Sequence, residues 1–103
     1  MYIAMNRFKV VRGSEKEFEA IWDNRERLLS QVPGYKKFQM LKGGEAEDHT
    51  LYASHTTWES EEAFIGWTKS DEFIRSHKVA RTRAHIYLEG PHFEGFDIIM
   101  SEA

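Results

Sequence analysis

The chain has 103 residues, a net charge of −3, no cysteine and 14% aromatic side chains. That length suits one domain spanning 1–103. The missing cysteines exclude disulfides, thiolate metal sites and thiol nucleophiles, and a cytoplasmic location is expected. Acidic and basic residues are interspersed, which argues against nucleic acid; no apolar run approaches the ~20 residues that span a bilayer, and no leader is visible.

"YIAMNRFKV" opens the chain as a β-strand, expected over Tyr2–Val11. Successive side chains alternate between faces, so Tyr2, Ala4, Asn6, Phe8 and Val10 share one face. An amide in the middle of an apolar face is out of place. It either bonds a neighbouring backbone group or projects into a pocket between sheet and helix.

A helix is expected to start at Ser14, with Glu17 completing a capping box. Its apolar stripe runs Phe18, Ile21, Trp22, Leu28, Leu29 and Val32, and Pro33-Gly34 ends it. Arg25 interrupts that stripe, three residues after Trp22. Either its stem lies along the core edge, or its guanidinium reaches a ligand carboxylate.

A second strand is expected over Tyr35–Leu41, with "KGGEAED" as a turn or short loop, and a third over His49–Thr57. Ser60 caps a short helix through Ala63, Phe64 and Trp67. "KSDEF" restarts the helix, with Ser70 as N-cap. His77 follows Phe73 by four residues and shares its face. It is either a core histidine bonded to a carbonyl or a ligand for a metal or haem iron. Trp67 is either a core ring or a partner of His77 around one flat ligand, and the latter requires the helix to break between them. A polar connection runs to Pro91, and "HFEGFDIIM" is the last strand, with a bulge expected at Gly95.

The order strand, helix, strand, strand, helices, strand is that of an α+β ferredoxin-like split βαβ fold with an antiparallel sheet. Its helices cover one sheet face only. The other face needs a partner, so a homodimer is expected. The residues offer no nucleophile–base pair, phosphate loop or catalytic carboxylate pair, so chemistry would come from a cofactor or a reactive substrate.

The segments "MNRFKV", "W-x2-SDEF-x3-HK" and "FEGFDIIM" resemble the IsdG-like haem-degrading monooxygenases, a branch of the antibiotic biosynthesis monooxygenase superfamily with a dimeric α+β barrel fold. The resemblance implies that Asn6 faces the distal side of a haem, that Trp67 presses on the porphyrin and that His77 ligates the iron. Arg25 falls where family members approach the propionates. It implies oxidative opening of haem, as substrate and cofactor together, with release of iron. The electrons would come from an external donor, a reductase, because no flavin or nicotinamide fingerprint is present. Two alternatives stand beside this reading: a cofactor-free monooxygenase of a quinol or polycyclic phenol, and a non-catalytic haem-binding protein.

Overall fold

The computed structural model describes residues 1–24, 29–71, 73, 74, 84–89 and 91–103. Its elements are β1 (Tyr2–Val11), α1 (Glu15–Asn24), a 3-10 turn (Leu29–Gln31), β2 (Tyr35–Glu45), β3 (His49–Trp58), α2 (Glu61–Thr68), a second 3-10 turn (Ala84–Ile86) and β4 (His92–Asp97). The four strands form one sheet in the order β2-β3-β1-β4, with every neighbouring pair antiparallel. This is the ferredoxin-like order that the sequence pattern predicts.

Alternation on β1 behaves as expected: Tyr2, Ala4, Phe8 and Val10 are buried beneath the helices. α1 begins at the expected residue, and the Ser14 carbonyl accepts from the Phe18 amide at 3.0 Å. The Ser14 amide donates to Val11 O at 2.9 Å, and Glu17 Oε1 meets His85 Nε2 at 3.0 Å. The apolar stripe of the predicted long helix is divided. Phe18, Ile21 and Trp22 pack on Phe8, Val10, Tyr52 and Ile86, whereas Leu29 and Val32 pack on a second cluster built on Tyr2, Ala4 and Trp58. Arg25 and Leu28 lie outside the described residues.

β3 is tied to α1 by two hydroxyl–carboxylate bonds. Thr50 Oγ1 donates to Glu15 Oε2 at 2.7 Å, and the Tyr52 hydroxyl donates to Glu19 Oε2. Spacing explains the ladder: two residues along a strand advance about 6.8 Å, and four along a helix about 6 Å. The Thr50 bond, above all, holds the Glu15 carboxyl below the ordinary carboxylate range. A folded-state pKa below the unfolded value contributes stability above the unfolded pKa, which is lost as pH falls through the folded one. Thr50→Val should therefore move the Glu15 titration, followed by side-chain carboxyl NMR, up toward its ordinary value and flatten the acid side of the stability curve.

Gly34 shows why the "PGY" turn must be glycine. Its φ is +84°, and an added Cβ would stand 2.4 Å from Ala63 Cβ on α2. Left-handed backbone costs a non-glycine residue about 1–2 kcal/mol, and overpacking adds a further ~1–3 kcal/mol. Gly34→Ala should lower the melting temperature by on the order of 10 °C, measured by thermal unfolding.

The helix break foreseen at "KSD" is present. The Ser60 hydroxyl caps α2 by accepting from Ala63 N at 3.2 Å. Ser70 then closes α2 and opens the next turn: its Oγ donates to Trp67 O at 2.6 Å and accepts from Phe73 N at 3.2 Å. His77 and Ala80, expected on that next helix, lie outside the described residues.

Three expectations are corrected. "KGG" is no turn: β2 continues to Glu45, and its pairing with β3 slips between Lys42 and Glu45 as a bulge, with the turn at 46–48. Gly95 is no bulge: β4 pairs with β1 in unbroken register, and the glycine leaves room for the Tyr2 ring, whose hydroxyl would stand 1.8 Å from an added Cβ. The strand ends at Asp97, three residues early, and Ile98 N donates to Met1 O at 3.0 Å. The connection before Pro91 is also less polar than its surroundings suggest. Ile86 is fully buried, Tyr87 bridges Val10, and Leu88 N donates to Lys9 O at 2.9 Å.

The helices cover one sheet face. The opposite face carries Ile3, Met5, Arg7 and Lys9 on β1, Leu51, Ala53, His55 and Thr57 on β3, Gln39 and Leu41 on β2, and Glu94 and Phe96 on β4, with Arg7 paired to Glu94 at 2.7 Å. Leu41 and Phe96 are exposed, as are Ile98, Ile99 and Met100 beyond β4. Antiparallel sheets that face water normally present polar side chains there. Among the described residues no helix is long and apolar enough to cross a membrane.

Candidate active site

The core under the helices falls into two halves, one around Phe8, Phe18, Tyr52 and Ile86, the other around Tyr2, Ala4 and Trp58. Strand register shows what separates them. Asn6 stands opposite Ser54 on β3 and Phe93 on β4, and Ser54 stands opposite Met40 on β2. The next row is Phe38, Thr56, Ala4 and Gly95. The middle of the sheet is therefore floored by an amide, two hydroxyls and a methyl, with Gly95 beneath the Tyr2 ring. Small and polar residues there separate the two aromatic halves of the core. Asn6 itself is half-buried, while Ser54 and Thr56 are buried.

Rings stand on both sides of this floor. On the β4 side Phe93 lies parallel to Phe64 of α2, with centroids 5.2 Å apart and planes 7° apart. On the β2 side Trp22 stacks on Phe38 at 5.8 Å and 12°. Trp67 is half-buried, backed by Trp58 at 6.4 Å and met edge-on by Phe73 at 5.6 Å. These two aromatic neighbours restrict the rotation of its indole. The Trp58 indole nitrogen in the same wall is buried without a hydrogen-bond partner.

Two cavities of about 390 Å³ flank the helices. One, between α1 and β2, is lined by Trp22, Phe38, Met40 and Tyr52 with Glu19, Asp23 and Lys42 at its rim. The other lies between α2 and residues 31–33, beside Trp67 and Ser70. Burial, then the bond to Glu19, push the Tyr52 phenol up, so it remains a protonated donor. No cluster of three or more histidine, aspartate or glutamate side chains able to hold a metal occurs among the described residues.

Of the residues singled out in the sequence, Asn6 and Trp67 lie on the helix-covered side of the sheet: Trp67 packs on the cluster that contains Ala4, two residues along β1 from Asn6. Arg25 and His77 lie outside the described residues. Ser54, Thr56, Phe93 and the Glu19–Tyr52 pair escaped sequence reasoning. The one available signal was the alternation of Thr50, Ser54 and Thr56 on the inward face of β3.

Residues 1–79 match the family "Antibiotic biosynthesis monooxygenase", and the chain belongs to that monooxygenase family. Two curated relatives are haem oxygenases. A staphylobilin-producing one from Staphylococcus saprophyticus is 27% identical over 78 residues, 76% of this chain and 74% of its own length. A mycobilin-producing one from Mycobacterium tuberculosis is 28% identical over 98 residues, 95% of this chain and 89% of its own. Among solved structures, the haem degrader MhuD of M. tuberculosis with two haems in its active site superposes with a TM-score of 0.74 at 22% identity, over all of both chains. SnoaB, a cofactor-independent oxygenase of Streptomyces nogalater, superposes nearly as well, with a TM-score of 0.71, 19% identity and coverage of 97% of this chain and 94% of its own. The fold is thus common to haem-dependent and cofactor-independent oxygenases.

Proposed function

We propose that the protein is a haem-degrading monooxygenase that opens the porphyrin ring with O2 and electrons from an external donor and releases the iron. The observation that carries this reading is the split core. A polar floor at Asn6, Ser54 and Thr56, walled by Trp22–Phe38 on one side and Phe64–Phe93 on the other, suits a flat apolar ring with polar chemistry at its centre. The two haem oxygenase relatives support it.

In this reading His77 is the iron ligand, and Asn6 faces the open side of the ring, where its amide can donate to oxygen. Trp67, backed by Trp58, presses on the macrocycle. Arg25 bonds a propionate. Haem, when bound, supplies the redox-active iron and is also the ring consumed. The chain's own side chains bind and orient it, exclude water between aromatic walls and place one neutral donor at the reacting face.

The exposed Leu41 and Phe96 on the outer sheet face are covered by a second copy of the chain, giving a homodimer. Sedimentation at a monomer mass would contradict this.

The function is tested by titrating the purified protein with hemin, then adding ascorbate with catalase. A shifted Soret band that decays with release of ferrous iron is expected. A stable Soret band indicates a haem carrier, and no shift a cofactor-independent oxygenase acting on a phenol or quinol.

A further inference from the structure

We infer that Tyr52 is a redox-active tyrosine: it yields one electron to an oxidant generated from O2 or peroxide between sheet and helices, and its phenolic proton moves in the same step to Glu19. The inference goes beyond the haem reading, and its first test uses the haem-free protein.

A tyrosine gives up an electron readily only where its proton has a base to move to. The chain has four tyrosines, Tyr2, Tyr35, Tyr52 and Tyr87, and all are described. Among the described residues, the Tyr52 hydroxyl alone of these donates to a carboxylate, that of Glu19. The Tyr87 hydroxyl pairs with Trp22 instead, and an indole N–H only donates, so it offers no base. Burial, and then the Glu19 bond, hold the Tyr52 proton in place until the electron leaves. The step balances: phenol and carboxylate become a neutral phenoxyl radical and a carboxylic acid, and the oxidant gains the electron. An external donor later returns an electron, and Glu19 returns the proton.

Tyr52 also stands where an oxidant would arise. It is two residues from Ser54 on the inward face of β3, about 6.8 Å along the strand, and Ser54 is opposite Asn6. Its ring meets Phe18 with centroids 4.5 Å apart, and Phe18 lies 6.1 Å from Trp22. Tyr52 and Trp22 line the same cavity between α1 and β2. A monooxygenase that runs short of reductant leaves an oxidant against these walls. Tyr52 discharges it without any covalent bond in the walls being lost beyond one O–H.

A photo-excited ruthenium polypyridyl complex with persulfate supplies a one-electron oxidant to the haem-free protein, and electron paramagnetic resonance reads the radical. Wild type should give a tyrosyl signal. Tyr52→Phe should lose it and Tyr87→Phe should keep it. Glu19→Gln keeps an acceptor oxygen but removes the base, so the radical should form on the order of 100-fold more slowly. Slower formation in deuterated water is expected for wild type only. No tyrosyl signal in wild type, a signal that survives in Tyr52→Phe, or an unchanged rate in Glu19→Gln overturns the inference. The Glu19→Gln arm decides alone if Tyr52→Phe does not fold. In the hemin complex, hydrogen peroxide should raise the same Tyr52-dependent signal. Absence of any hemin complex removes the haem reading and leaves the photochemical result standing.

Discussion

His77→Ala should abolish haem turnover, lowering the rate on the order of 100-fold or more. Losing an outer partner of a metal ligand typically costs about 10–100-fold, and removing the ligand itself costs at least as much. Under the proposed function, this imidazole would ligate the iron. The variant keeps the sheet, α1 and α2, so it should fold with a wild-type far-ultraviolet spectrum. Its hemin complex, if formed, should lack the Soret position of a histidine-ligated iron. Added imidazole should restore part of that band, a rescue that a merely structural role would not give. Wild-type turnover in His77→Ala would remove the assignment. His55 is a poor substitute ligand, because it stands on the opposite sheet face, across from Met5.

Asn6→Ala should bind hemin with near wild-type affinity but degrade it about 100-fold more slowly, the usual cost of deleting a single donor aimed at developing charge. The separation of binding from turnover is the informative part. Asn6 stands between Ser54 and Phe93 in the row that divides the core, so alanine removes the amide without collapsing an aromatic cluster. Its stability cost should stay within about 1 kcal/mol, because a half-exposed amide in a strand is easily replaced. Single-turnover spectroscopy of the loaded variant, with ascorbate and catalase, measures the rate apart from the affinity. Equal losses of affinity and stability would instead mark Asn6 as a structural strand residue.

Asn6 was legible because a strand has a strict period of two, and one polar group in the run Tyr2, Ala4, Phe8, Val10 violates it. Capping was legible for the same local reason: Ser60 and Ser70 act within three residues of themselves. What the sequence could not show lies across strands. "KGG" has turn composition, yet it forms a bulge whose pairing partners lie on β3. Gly95 is explained only once Tyr2, ninety-odd positions away, is placed over it. The Ser54–Asn6 row, the Phe64–Phe93 pair and the Glu19–Tyr52 bond each join residues remote in the chain, and no local pattern announces them. Tertiary packing likewise divided one apolar stripe, Phe18 to Val32, between two halves of the core. That division is the feature from which the ligand site is argued.

The crystal structure of the hemin complex tests the central claim most directly. It should place the ring between sheet and helices, over the Asn6–Ser54 row, with His77 on the iron and the Asn6 amide on the opposite face. Hemin seated on the outer sheet face, or iron held by a histidine other than His77, would contradict the account.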